Sequence, residues 1–169
     1  MNVSNAKCDN LSFYEEKIRW RMRRQISNAE AIFYENQEEH IQLFLDRYTR
    51  RKPVLVYWES EQRWTSVNGL EVISLFDEHC HHIYLDDIHK KIQAELPEDK
   101  TLDFKRQLQF VTLGDEKIRI WVPQGKLYFA LMNALQMFPL KKWLMTGQGD
   151  YGHRLYMVLK QPRTVFAEG

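Results

Sequence analysis

The chain contains few residues of the kinds that interrupt or cross-link a fold. Its 169 residues include two cysteines, five prolines and seven glycines. The two cysteines, Cys8 and Cys80, are too few for a disulfide scaffold, and the scarcity of glycine and proline argues against a long linker. No apolar run has the length of a transmembrane helix or the form of a signal peptide. We therefore expect a cytoplasmic protein with free thiols and no membrane association.

The length and composition are those of one globular domain. A chain of 169 residues that is 44% hydrophobic can bury a core without disulfides or metal, and a second full domain is not expected. We predict a loose N-terminus at 1–10 and a single domain over 11–169.

The first third has helical periodicity. Ser12 and Glu15 have the spacing of a capping box, and apolar residues then recur at three- and four-residue steps until Pro53. The pattern predicts helix over 12–50, as one long helix or as a helical hairpin that breaks near Ser27–Glu30. We expect it to pack on the core through Ile18, Met22, Phe33, Phe44 and Tyr48. In the broken form, the basic first half would face the acidic second half.

The remainder, 53–160, is predicted to mix hairpins and helices. Turn signals and alternation indicate hairpins at 53–67, 107–123 and 141–160. Apolar spacing predicts helices at 82–96 and 126–138, whereas 70–76 is ambiguous between strand and helix. The expected fold class is α+β, with an N-terminal helical segment followed by antiparallel β-hairpins with two inserted helices.

Charge is strongly segregated although the net charge is only +1. Residues 17–24 hold five basic residues and no acid, and residues 30–46 hold five acids and no Lys or Arg. Residues 53–116 carry thirteen acids against six bases, and residues 117–169 carry eight bases against two acids. An acidic middle region and a basic last third are each typical of a binding surface.

The stretch 78–89 contains four histidines, a cysteine and two aspartates. On the predicted helix, His82, Asp86 and His89 would share one face and could reach a single cation. However, the sequence contains no H-E-x-x-H or C-x-x-C motif and no second cluster. We therefore expect surface histidines rather than a metal site, and no cofactor.

Other catalytic motifs are weak. Cys80 lies beside His79 and His81, but sequence adjacency is not the spatial pairing that an activated thiol needs, so a small buried side chain is expected. A magnesium nuclease pattern could be assembled from Asp103 or Asp115 with 116–119, a combination that is common by chance. The glycine-rich segment 147–152 lacks a phosphate-loop ending and is better read as a hairpin turn; a loop near a nucleic-acid backbone is the alternative.

Bases interleave with aromatic residues in the last third. Strand alternation from Lys117 places Arg119 and Trp121 on the face opposite Ile118 and Ile120. Cations supply charge for phosphates and flat rings stack on bases, so this face is typical of single-stranded nucleic-acid binding. The alternative is that the rings pack beneath a second layer. The predicted binding residues are Lys117, Arg119, Trp121, Lys141, Trp143, Arg154 and Tyr156.

The segment 17–24, KIRWRMRR, is a second candidate contact. On a helix, Lys17, Arg21 and Arg24 lie along one side and Arg19 and Arg23 along another, which leaves the apolar side chains for the core. Such a helix can grip phosphates, and Arg19, Arg21 and Arg23 are predicted as the second set of binding residues. It can equally bind the acidic half of a neighbouring helix, within the chain or in a homodimer.

These features favour a small non-enzymatic nucleic-acid-binding or regulatory accessory protein, with single-stranded nucleic acid or RNA as its partner. The alternative is a protein-binding inhibitor, immunity or adaptor module that acts through its acidic middle region. A metal-dependent hydrolase is a distant third.

Overall fold

A computed structural model describes residues 11–98 and 104–140. They form three α-helices and two antiparallel sheets, which confirms the α+β class. The helices are α1 (Leu11–Gln25), α2 (Glu39–Leu45) and α3 (Lys126–Leu135), and the strands are β1 (Leu55–Ser60), β2 (Arg63–Val67), β3 (Glu71–Phe76), β4 (His79–Tyr84), β5 (Ile92–Ala94), β6 (Phe110–Leu113) and β7 (Ile118–Trp121).

The N-terminal helical segment is broken. After α1 the chain passes through two 3₁₀ turns, Ala29–Ile32 and Tyr34–Asn36, before α2 begins. The predicted break near Ser27–Glu30 is confirmed, but the predicted helical hairpin is wrong, because α1 and α2 pack on opposite faces of the first sheet. Two ion pairs then join the basic and acidic halves: Arg19 with Glu35, and Arg23 with Glu30.

The first sheet has the order β1-β2-β3-β4, and the second has the order β5-β6-β7. Each pair of neighbouring strands is antiparallel. The hairpins predicted at 53–67 and 107–123 are therefore confirmed, and the ambiguous 70–76 stretch is strand β3.

The prediction of a helix over 82–96 is wrong. Residues up to Tyr84 form the end of β4, a 3₁₀ turn follows at Leu85–Asp87, and Ile92–Ala94 is β5. His89 and Lys90 have φ of 52° and 59°, a left-handed conformation that no α-helix contains. The apolar spacing that indicated a helix instead results from two strands and the turn between them.

One face of the first sheet lies against the main core. Fully buried side chains come from α1 (Ile18, Met22), from the sheet (Leu55, Val72) and from α3 (Leu131), with Phe33 between the helical segments. The opposite face of the sheet is covered by α2, where Phe44 contacts Tyr48, Trp58 and Trp64. The expected burial of Ile18, Met22, Phe33 and Phe44 is confirmed, whereas Tyr48 is exposed.

The hairpin and glycine-rich segment predicted over 141–160, and the loose residues 1–10, lie outside the described residues. Within the described residues, no helix combines the length and the apolar character that crossing a membrane requires.

Candidate functional site

The outer side of α1 carries an exposed tryptophan surrounded by cations. Trp20 is 47% exposed and Phe13, two turns earlier, is 44% exposed. Three basic groups lie over the Trp20 ring: Lys17 at 5.7 Å, Arg21 at 5.4 Å and Arg24 at 4.9 Å from its centroid. Lys17 also lies 5.3 Å from the Phe13 ring. We call this surface, made of Phe13, Lys17, Trp20, Arg21 and Arg24, the α1 face.

The helical periodicity of the segment explains this surface. Leu11, Tyr14, Ile18 and Met22 are buried at three- and four-residue steps, so residues two positions away from them point outward. In the described part of the chain, none of the three cations of the α1 face forms an ion pair with a carboxylate. Glu16, which lies one turn before Trp20, is exposed and is likewise unpaired there. The cations therefore remain available to an external anion.

Arg19 and Arg23, which were predicted as binding residues, are instead engaged within the chain. Arg19 donates to both carboxylate oxygens of Glu35, at 2.5 and 3.0 Å, and Arg23 donates to Glu30 at 2.7 Å. Both guanidinium groups also lie over the Phe33 ring, at 4.8 and 5.0 Å. The hydrogen bonds from Arg19 hold the pKa of Glu35 below its usual value. These two arginines fasten α1 to the 3₁₀ turns.

A polar groove follows the seam between α1 and α3. Arg21 and Arg24 form one side, and Asn133, Gln136 and Met137 form the other. The Nε of Arg21 donates to the Met137 sulfur at 3.4 Å, and Asn133 donates to the Gln25 side chain at 2.9 Å. The groove continues the α1 face and adds amide groups that can donate and accept hydrogen bonds.

The predicted face on the 107–123 hairpin is not exposed as expected. Trp121 is 3% exposed, and its neighbours Ile120 and Val122 are fully buried. The outer edge of β7 points at the first sheet, where the Thr65 hydroxyl donates to the Trp121 carbonyl at 2.5 Å and the Trp121 N–H donates to the Ser74 hydroxyl at 3.0 Å. The expected exposure of Trp121 is therefore wrong, because a second layer covers it.

Arg119, which lies on β7 together with Trp121, is neutralised by a carboxylate of another segment. Its guanidinium donates two hydrogen bonds to Glu95, at 2.6 and 2.7 Å, and lies 3.7 Å from the Phe110 ring centroid. Lys117 is exposed in the turn before β7. Of the three hairpin residues predicted to bind, Lys117 is therefore the one that is exposed and not engaged as Arg119 and Trp121 are. Lys141, Trp143, Arg154 and Tyr156 lie outside the described residues.

The histidine-rich stretch lies on β4 and in the turn after it, so the helical face that would join His82, Asp86 and His89 does not exist. The Nε2 atom of His82 lies 2.5 Å from a Glu71 carboxylate oxygen, whereas Asp86 accepts a hydrogen bond from the Tyr14 hydroxyl at 2.9 Å. Burial and this bond raise the pKa of Tyr14 to about 12. Within residues 11–98 and 104–140, no group of three His, Cys, Asp or Glu side chains could hold a metal ion.

We therefore expect chelation to leave the melting temperature of the protein unchanged. Because no group of three His, Cys, Asp or Glu side chains among the described residues could hold a metal ion, metal binding should contribute nothing to folding. Purified protein should contain substoichiometric zinc by elemental analysis. Stoichiometric zinc that is lost in His82→Ala would contradict this prediction.

The other candidate catalytic groups are also placed unfavourably. Cys80 is exposed and unpaired among the described residues, which contradicts its expected burial, yet partial desolvation raises the pKa of its thiol. Its neighbour His81 stacks on Phe76 at 4.3 Å, and burial lowers the pKa of its imidazole. Asp115 pairs with Lys91, and Asp103 lies outside the described residues.

Two groups of exposed residues were not predicted from the sequence as candidate binding residues. Trp20 stands at i+3 from Lys17 and i−4 from Arg24, so a helical projection would have placed it between them. The three consecutive bases Arg50, Arg51 and Lys52 separate the acidic segment from the first strand. Their run of like charge was the available signal.

Comparison of the chain with protein-family models, with curated proteins and with solved structures finds no match. Function is therefore inferred from the residues themselves.

Proposed function

We propose that the protein is a non-enzymatic single-stranded nucleic-acid-binding protein and that the α1 face is its interface. The observation that carries this proposal is Trp20, a half-exposed indole with three cations around its ring and no carboxylate paired to them among the described residues. A single strand presents alternating anionic phosphates and flat bases, and the α1 face presents both complementary groups.

The arrangement is poorly explained as a stabilising feature of the fold. The Trp20 ring leaves about half of its surface in water, and Lys17, Arg21 and Arg24 repel one another. Elsewhere on α1, the cations of Arg19 and Arg23 are compensated by glutamates. The outward side of the same helix carries three cations that no glutamate compensates among the described residues. Such a group of cations is consistent with a polyanion partner.

The proposal locates the interface on the helix rather than on the hairpin. Trp121 is covered, and Arg119 is held by Glu95. Lys141, Trp143, Arg154 and Tyr156 remain proposed as additional contacts from the basic last third. The polar groove beside Arg21 and Arg24 would receive the base or phosphate that adjoins the base stacked on Trp20.

Trp20→Ala should weaken binding of a fluorescein-labelled mixed-sequence oligonucleotide by about 5- to 150-fold, because stacking one base on an aromatic side chain contributes roughly 1–3 kcal/mol. The salt dependence should stay nearly unchanged in this variant. Arg24→Ala should instead lower the slope of log K against log salt by about 0.7, the value for one phosphate contact on a single strand. The measurement is fluorescence anisotropy across a series of salt concentrations.

Matched controls come from residues outside the α1 face. Leu43 lies on α2 and is 56% exposed. Arg63 lies on β2 and is paired with Glu59 of β1. Leu43→Ala and Arg63→Ala should leave both affinity and slope unchanged. Absence of binding at about 50 μM protein in low salt, or equal losses in the α1 and control variants, would overturn the proposal and favour a protein partner at the acidic middle region; about 50 μM is within the range of non-specific nucleic-acid affinities.

A further inference from the structure

A second uncompensated basic surface lies where α2 leads into β1. Arg50, Arg51 and Lys52 are all exposed, and the residues on either side of them, Thr49 and Pro53, are buried. In the described part of the chain, none of the three cations forms an ion pair. We call these three residues the basic loop.

The ends of the basic loop are fixed by the fold. On one side, the Thr49 hydroxyl and N–H both donate to the Leu45 carbonyl, at 3.0 and 2.9 Å. On the other side, the Val54 N–H donates to Val67 at 2.7 Å, and the Val54 carbonyl accepts from the Tyr34 N–H at 3.1 Å. The loop is short and anchored at both ends, so its three like charges are held close together although they repel one another.

The basic loop borders a groove that reaches α1. Its lining includes Arg19 and Glu15 from the helix, Tyr34 and Glu35 from the 3₁₀ turn, and Arg50, Arg51, Lys52 and Pro53. Four cations face two carboxylates in this groove, and Glu35 is already neutralised by the two hydrogen bonds from Arg19. The groove therefore has a positive excess that comes from the basic loop.

The groove lies on one flank of α1, and the polar groove with Arg21 and Arg24 lies on the other. Arg19 and Arg21 are two residues apart, so they project from the helix about 200° from one another. The α1 face occupies the outward surface between these flanks. A chain that crosses the outer side of α1 from one groove to the other must span on the order of 10–12 Å, the diameter of a helix with its side chains.

Building on the proposed function, we infer that the basic loop is a second phosphate-binding site for the strand that stacks on Trp20. The strand would cross the outer side of α1, with phosphates held by Arg21 and Arg24 at one flank and by the basic loop at the other. Affinity therefore depends on oligonucleotide length. A short oligonucleotide fills the α1 face, and only a longer one reaches the loop and gains its contacts.

The test compares two lengths, about 2 and about 16 nucleotides. At about 3.4 Å per nucleotide, the shorter one cannot cross the roughly 10–12 Å between the grooves, whereas the longer one covers the upper end of common single-strand site sizes. The variant Arg50→Glu/Arg51→Glu should bind the long oligonucleotide about tenfold or more weakly at low salt, with a slope of log K against log salt that is lower by about 1.4 for two lost phosphate contacts. At about 0.15 M salt, where the Debye length is about 8 Å, its affinity for the short oligonucleotide should change by less than about twofold, because distant charges are then screened.

The control Arg63→Glu/Lys90→Glu makes the same change in net charge at half-buried Arg63 of β2 and at exposed Lys90 in the turn after β4. It should weaken both lengths slightly and equally, and a melting curve of each variant verifies folding. Equal losses for both lengths, or losses matching those of the control, would overturn the second site while binding dependent on Trp20 persists. If the unsubstituted protein binds neither length, the proposed function itself is overturned.

Discussion

Phe33→Ala is expected to lower the free energy of unfolding by about 3–5 kcal/mol, the usual cost of removing a buried phenyl ring. Phe33 is fully buried, and its backbone forms an isolated β-bridge with Leu55 at the edge of the first sheet. Its ring also lies beneath the guanidinium groups of Arg19 and Arg23. The substitution therefore leaves a cavity in the core and removes the surface on which two arginines of α1 rest.

Urea denaturation followed by circular dichroism measures this effect. Phe33→Leu should recover more than half of the loss, because most of the buried apolar volume is retained. Phe13→Ala removes the same ring from an exposed position of α1 and should change stability by less than about 0.5 kcal/mol. A Phe33→Ala variant as stable as Phe13→Ala would show that the 3₁₀ turns do not pack on the core.

Ser74→Ala is expected to lower the free energy of unfolding by about 1–3 kcal/mol, the cost of leaving a buried donor without a partner. The Ser74 hydroxyl accepts from the Trp121 N–H and shares a 2.6 Å hydrogen bond with Thr65, whose hydroxyl donates to the Trp121 carbonyl. These contacts join the face of the first sheet to the edge of the second. Without them, the backbone of β7 would be buried with unsatisfied polar groups.

Ser66→Ala is the matched control for this substitution. Ser66 is as buried as Ser74 and lies on the neighbouring strand, but its side chain projects from the opposite face of the sheet. The two variants remove the same atom, so chemical denaturation of both isolates the effect of the Trp121 contacts. Equal stabilities would mean that the hydroxyl network does not hold the sheets together.

Local patterns were sufficient for much of the fold. The apolar spacing of α1 identified its buried side and separated Lys17, Arg21 and Arg24 from Arg19 and Arg23. The turn signal and alternation within 107–123 located β6 and β7. These features depend on neighbours within a few residues, where backbone geometry dictates which side chains share a face.

The 82–96 segment shows where local patterns fail. Ile83, Leu85, Ile88 and Ile92 are spaced so that a helix would bury them together, but β3 pairs with His79–Tyr84 through six residue pairs. Hydrogen bonding to a strand earlier in the chain outweighs intrinsic helical preference, because tertiary pairing and burial contribute more than propensity does. The supposed metal-binding face disappeared with the helix.

The sequence by itself determined the α+β class, the hairpins at 53–67 and 107–123 and the two sides of the basic helix, because all of these follow from short-range periodicity. Tertiary structure decided which charged and aromatic residues are available to a partner. Trp121 is buried on a strand whose backbone bonds to Ser74 and Thr65, Arg119 is neutralised by Glu95, and Arg19 is held by Glu35. Alternation along one strand or helix determines which side chains point the same way, but only the packing of distant segments determines whether that side meets water or another layer.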